Sequence, residues 1–146
     1  MLALSSRVAL AEPELLTPTD ATGAALVTGG GLSGVFHRIE PGQSLDFATP
    51  GFATLTVEVH RRLPAVGARP AGARVQVLGD GNPVMEIIAG QPALPGAKVH
   101  DGRGGAVSGA DRATVKVPAD GRRLTLVAPS TGLDLLVQVR GDAAPR

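Results

Sequence analysis

The chain has 146 residues, 43% of them hydrophobic, with 14 basic and 13 acidic side chains and a net charge of +1. That length suits about one domain with an ordinary core, and the mixed charge offers no basic or acidic surface to nucleic acid or anionic lipid. Cysteine is absent, which excludes disulfides, thiol catalysis and thiolate metal sites, and no apolar run reaches the roughly 18 residues of a membrane helix.

Residues 1–33 are weakly patterned and are expected to form an N-terminal arm or a weakly structured strand, with a short strand at Arg7 to Leu10. Ala9-Leu10-Ala11 has the small-x-small form of a signal cleavage site, but Ser5, Ser6 and Arg7 interrupt the apolar stretch and no basic residue precedes it. Pro13, Pro18, Gly23 and Gly29-Gly30-Gly31 break any long helix. The triple glycine lacks the Lys-Ser/Thr helix of a phosphate loop and reads as a flexible connection.

From Val35 strand signals follow one another closely. Val35 to Ile39 leads into Glu40-Pro41-Gly42-Gln43, with Pro and Gly placed for a type II turn. Leu45 and Phe47 share one face of the next strand. After Thr49-Pro50-Gly51, residues Leu55, Val57 and Val59 face inward while Thr54, Thr56, Glu58 and His60 fall on the opposite, solvated face. Leu63 to Ala73 has no periodicity and reads as an extended loop. Arg74 to Leu78 and Val84 to Ile88 flank Gly79-Asp80-Gly81-Asn82, a strong hairpin signal because Asp and Gly tolerate positive φ. Ala89 to Ala113 is a long connection rich in Gly, Ala and Pro with a short strand at Lys98 to His100, and segments of this kind are functional or mobile. Strands near Thr114 to Val117, Arg123 to Val127 and Asp134 to Arg140 complete the chain.

These elements predict an all-β fold, an antiparallel β-sandwich or jelly roll of about eight strands with little or no helix. The domain is expected over residues 34–140, with a tail at 141–146. Its inward set is Leu45, Phe47, Leu55, Val57, Val59, Val75, Val77, Val115, Val117, Leu124, Leu126, Leu135, Val137 and Val139. The order Pro, Gly, L-x-[FL] strand, Pro, alternating strand occurs in Arg38 to Arg61 and again in Lys116 to Arg140. It reads either as two quasi-equivalent units or as the generic likeness of two hairpins. Within the second unit, Val117, Pro118, Gly121, Leu124, Leu126, Asp134, Leu135 and Val137 make this stretch resemble the end of bacterial pre-peptidase C-terminal domains, with aliphatic residues at that family's aromatic positions. The resemblance, confined to residues 116–140, implies a secreted β-sandwich accessory module without its own active site.

No catalytic signature accompanies this pattern. There is no G-x-S-x-G elbow, and His37, His60 and His100 lie in separate segments without H-x-H or H-E-x-x-H spacing. His37 reads as a partly buried histidine, Glu58 and His60 as a solvated pair, and Arg61-Arg62 and Arg122-Arg123 as solvated strand ends. The motif His100 to Gly105, HDGRGG, has one Asp where a calcium loop needs several ligands, and reads as a mobile surface loop.

The expected function is a non-catalytic structural or protein-interaction module of a bacterial envelope or extracellular assembly, with no cofactor and no metal. Alternatives are a virion or surface-lattice decoration protein, and a small metal-dependent enzyme using His37, His60 or His100. The compartment is left open, with the cell envelope or exterior preferred. The expected partner is a protein or a second copy, bound through Leu94, Val99 and His100, with no nucleic acid and no membrane insertion. Carbohydrate is disfavoured, because without Trp or Tyr there is no aromatic platform for a sugar ring.

Overall fold

The computed structural model describes residues 13–20 and 23–143. The expected strand at Arg7 to Leu10, the cleavage-like Ala9-Leu10-Ala11 and the end of the expected tail lie outside them. Among the described residues the secondary structure is all β: β1 Glu14–Leu15, β2 Ala24–Gly29, β3 Leu32–Ile39, β4 Ser44–Ala48, β5 Phe52–Leu63, β6 Ala73–Gly79, β7 Asn82–Ala89, β8 Lys98–Val99, β9 Ala106–Val107, β10 Asp111–Lys116, β11 Arg123–Val127 and β12 Leu135–Ala143.

The strands form two antiparallel sheets. The larger has the order β10-β5-β12-β3-β2-β8, with β1 on β12 and β9 on β5, and the smaller has the order β4-β11-β6-β7. Their facing sides enclose the main core. Every member of the expected inward set is buried there, save Val117, which is half-buried against it. Period-two alternation in β4, β5, β6, β11 and β12 places these residues on one side of each sheet, so the sandwich follows directly from the pattern. At the β6–β7 hairpin Asp80 and Gly81 have φ of 49° and 84°, the left-handed pair that a two-residue hairpin turn requires.

The repeated pattern has a structural counterpart. β4 pairs with β11 and β5 with β12, so each unit places one strand in each sheet beside its equivalent. The pairs Leu45–Leu126 and Phe47–Leu124 are exchanged by the equivalence of the units, as are Val57–Val139 and Val59–Val137. The two units are therefore related by a pseudo-twofold between their paired strands.

The structure departs from the sequence reading at the edges of this frame. Residues 24–29, within the expected arm, form β2 and pair in full register with β3, and Gly141 to Ala143 extend β12 beyond the expected domain end. Gly29-Gly30-Gly31 is a tight turn with three positive φ values of 86°, 63° and 87°, not a flexible link. The outer face of the larger sheet is also covered. Residues 90–109 fold across it, so that Val27, Phe36, Ala97, Val107 and Leu136 form a second core, with Leu32, Leu94 and Val99 against it. His60, expected in solvent, is fully buried on this side. Alternation along β5 assigned its face correctly; nothing local reports that a distant segment lies over that face.

Candidate functional site

Three connections that pass between the sheets meet at one end of the sandwich. They are the β3–β4 turn, the β5–β6 loop and the β11–β12 loop. Between the last two lies a cleft of about 690 Å³, with Arg61, Pro64, Pro70 to Arg74, Pro129 and Thr131 to Leu133 among its lining residues. Its walls are largely the aliphatic rings and side chains of Pro64, Pro70, Pro129 and Leu133. A smaller recess of about 280 Å³ adjoins it and shares Arg62, Pro64, Gly132 and Leu133.

Arg61 is built into the first cleft from the end of β5. It continues the inward parity of Val57 and Val59, stands opposite Leu135, and is only 6% exposed. Its Nη1 donates to the Pro70 carbonyl at 3.2 Å and the Ala71 carbonyl at 2.7 Å, which fastens the β5–β6 loop over the strand end. Its Nε is buried without an acceptor among the described residues.

Arg62 points to the opposite face and organises the neighbouring loops. Its Nε donates to Asp134 Oδ1 at 2.7 Å and its Nη2 to Asp134 Oδ2 at 3.1 Å. Nη2 also meets Asp101 Oδ2 at 2.5 Å, and Nη1 donates to the Gly104 carbonyl at 2.8 Å. Arg38 lies 3.4 Å from Asp101, while Arg103 pairs with Glu40 at 2.8 Å. Burial alone would raise the Asp101 carboxyl above the ordinary carboxylate range. The Arg103 backbone N–H and the Arg62 and Arg38 guanidinium groups outweigh it and hold the carboxyl below that range. This network ties the β8–β9 loop, the β3–β4 turn and the β11–β12 loop to the end of β5.

One expectation is corrected here. Arg61 and Arg62 are not solvated strand ends, since both are buried, at 6% and 5% exposure. His100 to Gly105 is a surface loop, in which Asp101 joins the arginine network and accepts the Arg103 N–H at 3.0 Å. The burial of Arg61 has a signal in the sequence, since the inward parity of β5 runs on through Arg61 to the fully buried Leu63.

The histidines occupy separate environments. His60 Nδ1 donates to the Ser108 carbonyl at 2.8 Å, its Nε2 meets Glu58 Oε2 at 2.6 Å, and the Phe36 ring packs edge-on at 5.2 Å. Hydrogen bonding from His60 holds the Glu58 carboxyl below its ordinary range, with Arg112 adding to the effect. His37 stands opposite Val137 on the main-core side, whereas His60 stands opposite Leu136 on the other face of the same sheet. Burial lowers the affinity of His37 for a proton. His100 is exposed and its Nε2 lies 2.6 Å from the Thr28 hydroxyl. The structure thus does not bring the three together, and among the described residues no three His, Asp or Glu side chains are grouped to hold a metal. Leu94 and Val99 are half-buried against the second core of their own chain.

The architecture is that of a jelly-roll β-sandwich with its cleft among the connections at one end. No protein-family model and no curated protein sequence matches the chain. Among solved structures it is similar to CBM35 from Cellvibrio japonicus Abf62, with a TM-score of 0.52, 15% identity, and coverage of 90% of this chain and 95% of that one. It is also similar to a family 35 carbohydrate-binding module from an environmental isolate, with a TM-score of 0.50, 16% identity, and coverage of 89% and 98%. A structure of the CBM51-2 domain in complex with GlcNAc, with INT domains, from Clostridium perfringens ZmpB matches with a TM-score of 0.48 and 10% identity; this chain, 90% covered, spans 30% of it. At these identities the likeness establishes the fold: a β-sandwich module resembling carbohydrate-binding modules.

This finding overturns the expected partner, a protein or a second copy with carbohydrate disfavoured, because the matched folds are those of carbohydrate-binding modules. The absence of Trp and Tyr removes aromatic stacking only. Hydrogen bonds from a fixed guanidinium and contact between sugar C–H groups and proline rings need neither residue.

Proposed function

We propose that this chain is a non-catalytic carbohydrate-binding module and that the cleft between the β5–β6 and β11–β12 loops holds the saccharide. The observation that carries the reading is the cleft's combination of aliphatic walls, from Pro64, Pro70, Pro129 and Leu133, with the buried polar head of Arg61. A sugar ring is amphipathic in the same sense, with C–H faces and a polar rim. Largely preformed sites of this kind bind by shape and a few fixed hydrogen bonds. The likeness of Lys116 to Arg140 to the end of pre-peptidase C-terminal domains supports the same accessory role outside the cytoplasm.

The network beneath the cleft supports binding without chemistry. Arg62, Asp134 and Asp101 are engaged with one another and hold the loops, so none is left poised as an acid or a base. The test is a glycan array probed with the purified protein, followed by calorimetry on the saccharides retained. Binding that is weakened at least about tenfold by Leu133→Asp, which sets a charge against the sugar's apolar face, is expected. Retained saccharides whose affinity is unchanged in that folded variant would place the site elsewhere and refute the assignment.

A further inference from the structure

We propose that Arg61 makes this cleft select saccharides that carry an anionic substituent, a carboxylate or a sulfate ester, over neutral ones. The inference rests on the carbohydrate-binding reading and adds to it the chemical class of the ligand.

Arg61 is a buried cation whose charge no carboxylate among the described residues compensates. Withdrawing a guanidinium from water is strongly unfavourable unless an opposite charge and hydrogen bonds replace the solvent. Its neighbour Arg62 meets that requirement with two carboxylates, Asp134 and Asp101. Arg61 does not: its partners are the two neutral carbonyls of Pro70 and Ala71, both reached by Nη1. Among the described residues no carboxylate pairs with it, and its Nε is buried without an acceptor.

The surroundings do not cancel this charge from a distance. The adjoining network sets Arg38, Arg62 and Arg103 against Glu40, Asp101 and Asp134, three cations against three anions. Arg74 at the cleft edge is exposed and paired with Glu86. Arg61 is therefore the surplus positive charge of the cleft. The hydroxyls of a neutral sugar would satisfy its N–H groups yet leave the charge unmatched. A carboxylate or a sulfate ester supplies both, through shorter and stronger charge-assisted bonds. Because the loop carbonyls already fix Nη1, the guanidinium is held in place before a ligand arrives, which lowers the ordering cost of binding.

The experiment is calorimetry with uronic-acid oligosaccharides, their carboxyl-reduced neutral counterparts, and the same neutral chains bearing sulfate esters. One or both charged sets are expected to bind at least about tenfold more tightly than the neutral set, and the set that does so identifies the substituent. Arg61→Met should bring charged and neutral ligands to the same Kd. Should that variant fail to fold, the Arg61 Nε–Hε resonance of the unaltered protein gives the answer, and it should shift on titration with the charged ligand and far less with the neutral one. Equal affinity for charged and neutral chains would overturn this inference and leave the carbohydrate reading standing. Absence of binding to any saccharide would remove both.

Discussion

Replacing Arg62 by Met tests whether the buried network, and not the sandwich core alone, holds the cleft together. The substitution keeps most of the aliphatic stem and removes the guanidinium. Asp134, with its side chain 4% exposed, then loses both bonds from Nε and Nη2, at 2.7 and 3.1 Å. Asp101 keeps Arg38 and the Arg103 N–H but loses its 2.5 Å partner. Asp134 keeps only the half-exposed Arg103, 3.6 Å away, and removing the buried partner of a buried carboxylate costs about 3–5 kcal/mol. For a domain of this size that corresponds to a fall in Tm of about 10 °C or more. Thermal unfolding followed by far-UV circular dichroism measures it. The double variant Arg62→Met with Asp134→Leu should be more stable than Arg62→Met alone, because the stranded carboxylate is removed with its partner. A loss below about 1 kcal/mol in the single variant, the range of an exposed pair, would refute the claim that this network is buried and structural.

Other outcomes follow from the same packing. Val57→Asp places an unpaired charge in the main core, which costs several kcal/mol, and the chain should fail to unfold cooperatively or to remain soluble. Leu136→Ala, in the second core, should cost about 2–5 kcal/mol by denaturant unfolding, whereas a solvated outer face would tolerate it. At the β2–β3 turn Gly29→Ala drives a Cβ onto the Gly96 carbonyl, while Gly31→Ala at φ 87° meets open space. Both should destabilise through backbone strain, and Gly29→Ala by clearly more. As for pH, Asp101 has a folded pKa below its unfolded value, so its contribution is present above the ordinary carboxylate range and is lost as pH falls through the folded pKa. Tm should therefore drop more steeply below about pH 4 in the unaltered protein than in Asp101→Asn, and parallel curves would show that Asp101 does not carry this dependence.

The periodicity of the chain was enough to determine the sandwich. Side chains two apart on a strand must share a face, so Leu55, Val57 and Val59 declare a buried side wherever β5 is placed, and Asp80-Gly81 declares its hairpin by the φ values those residues tolerate. The same local rules carry no information about what lies against a face. Thr54, Thr56, Glu58 and His60 looked solvated because polar residues alternate there, yet His60 is buried by a segment 48 positions later in the chain, through Ser108. Likewise, Arg61-Arg62 is an ordinary basic doublet as sequence. Strand alternation sends the two side chains to opposite faces of β5, but only the tertiary structure brings one to Asp134, 72 positions away, and the other to a cleft where no carboxylate among the described residues lies beside it. Charge pairing acts through space and is blind to chain order, whereas strand alternation is a property of consecutive bonds. For that reason the fold could be read along the sequence, while the candidate site became visible only where distant loops meet.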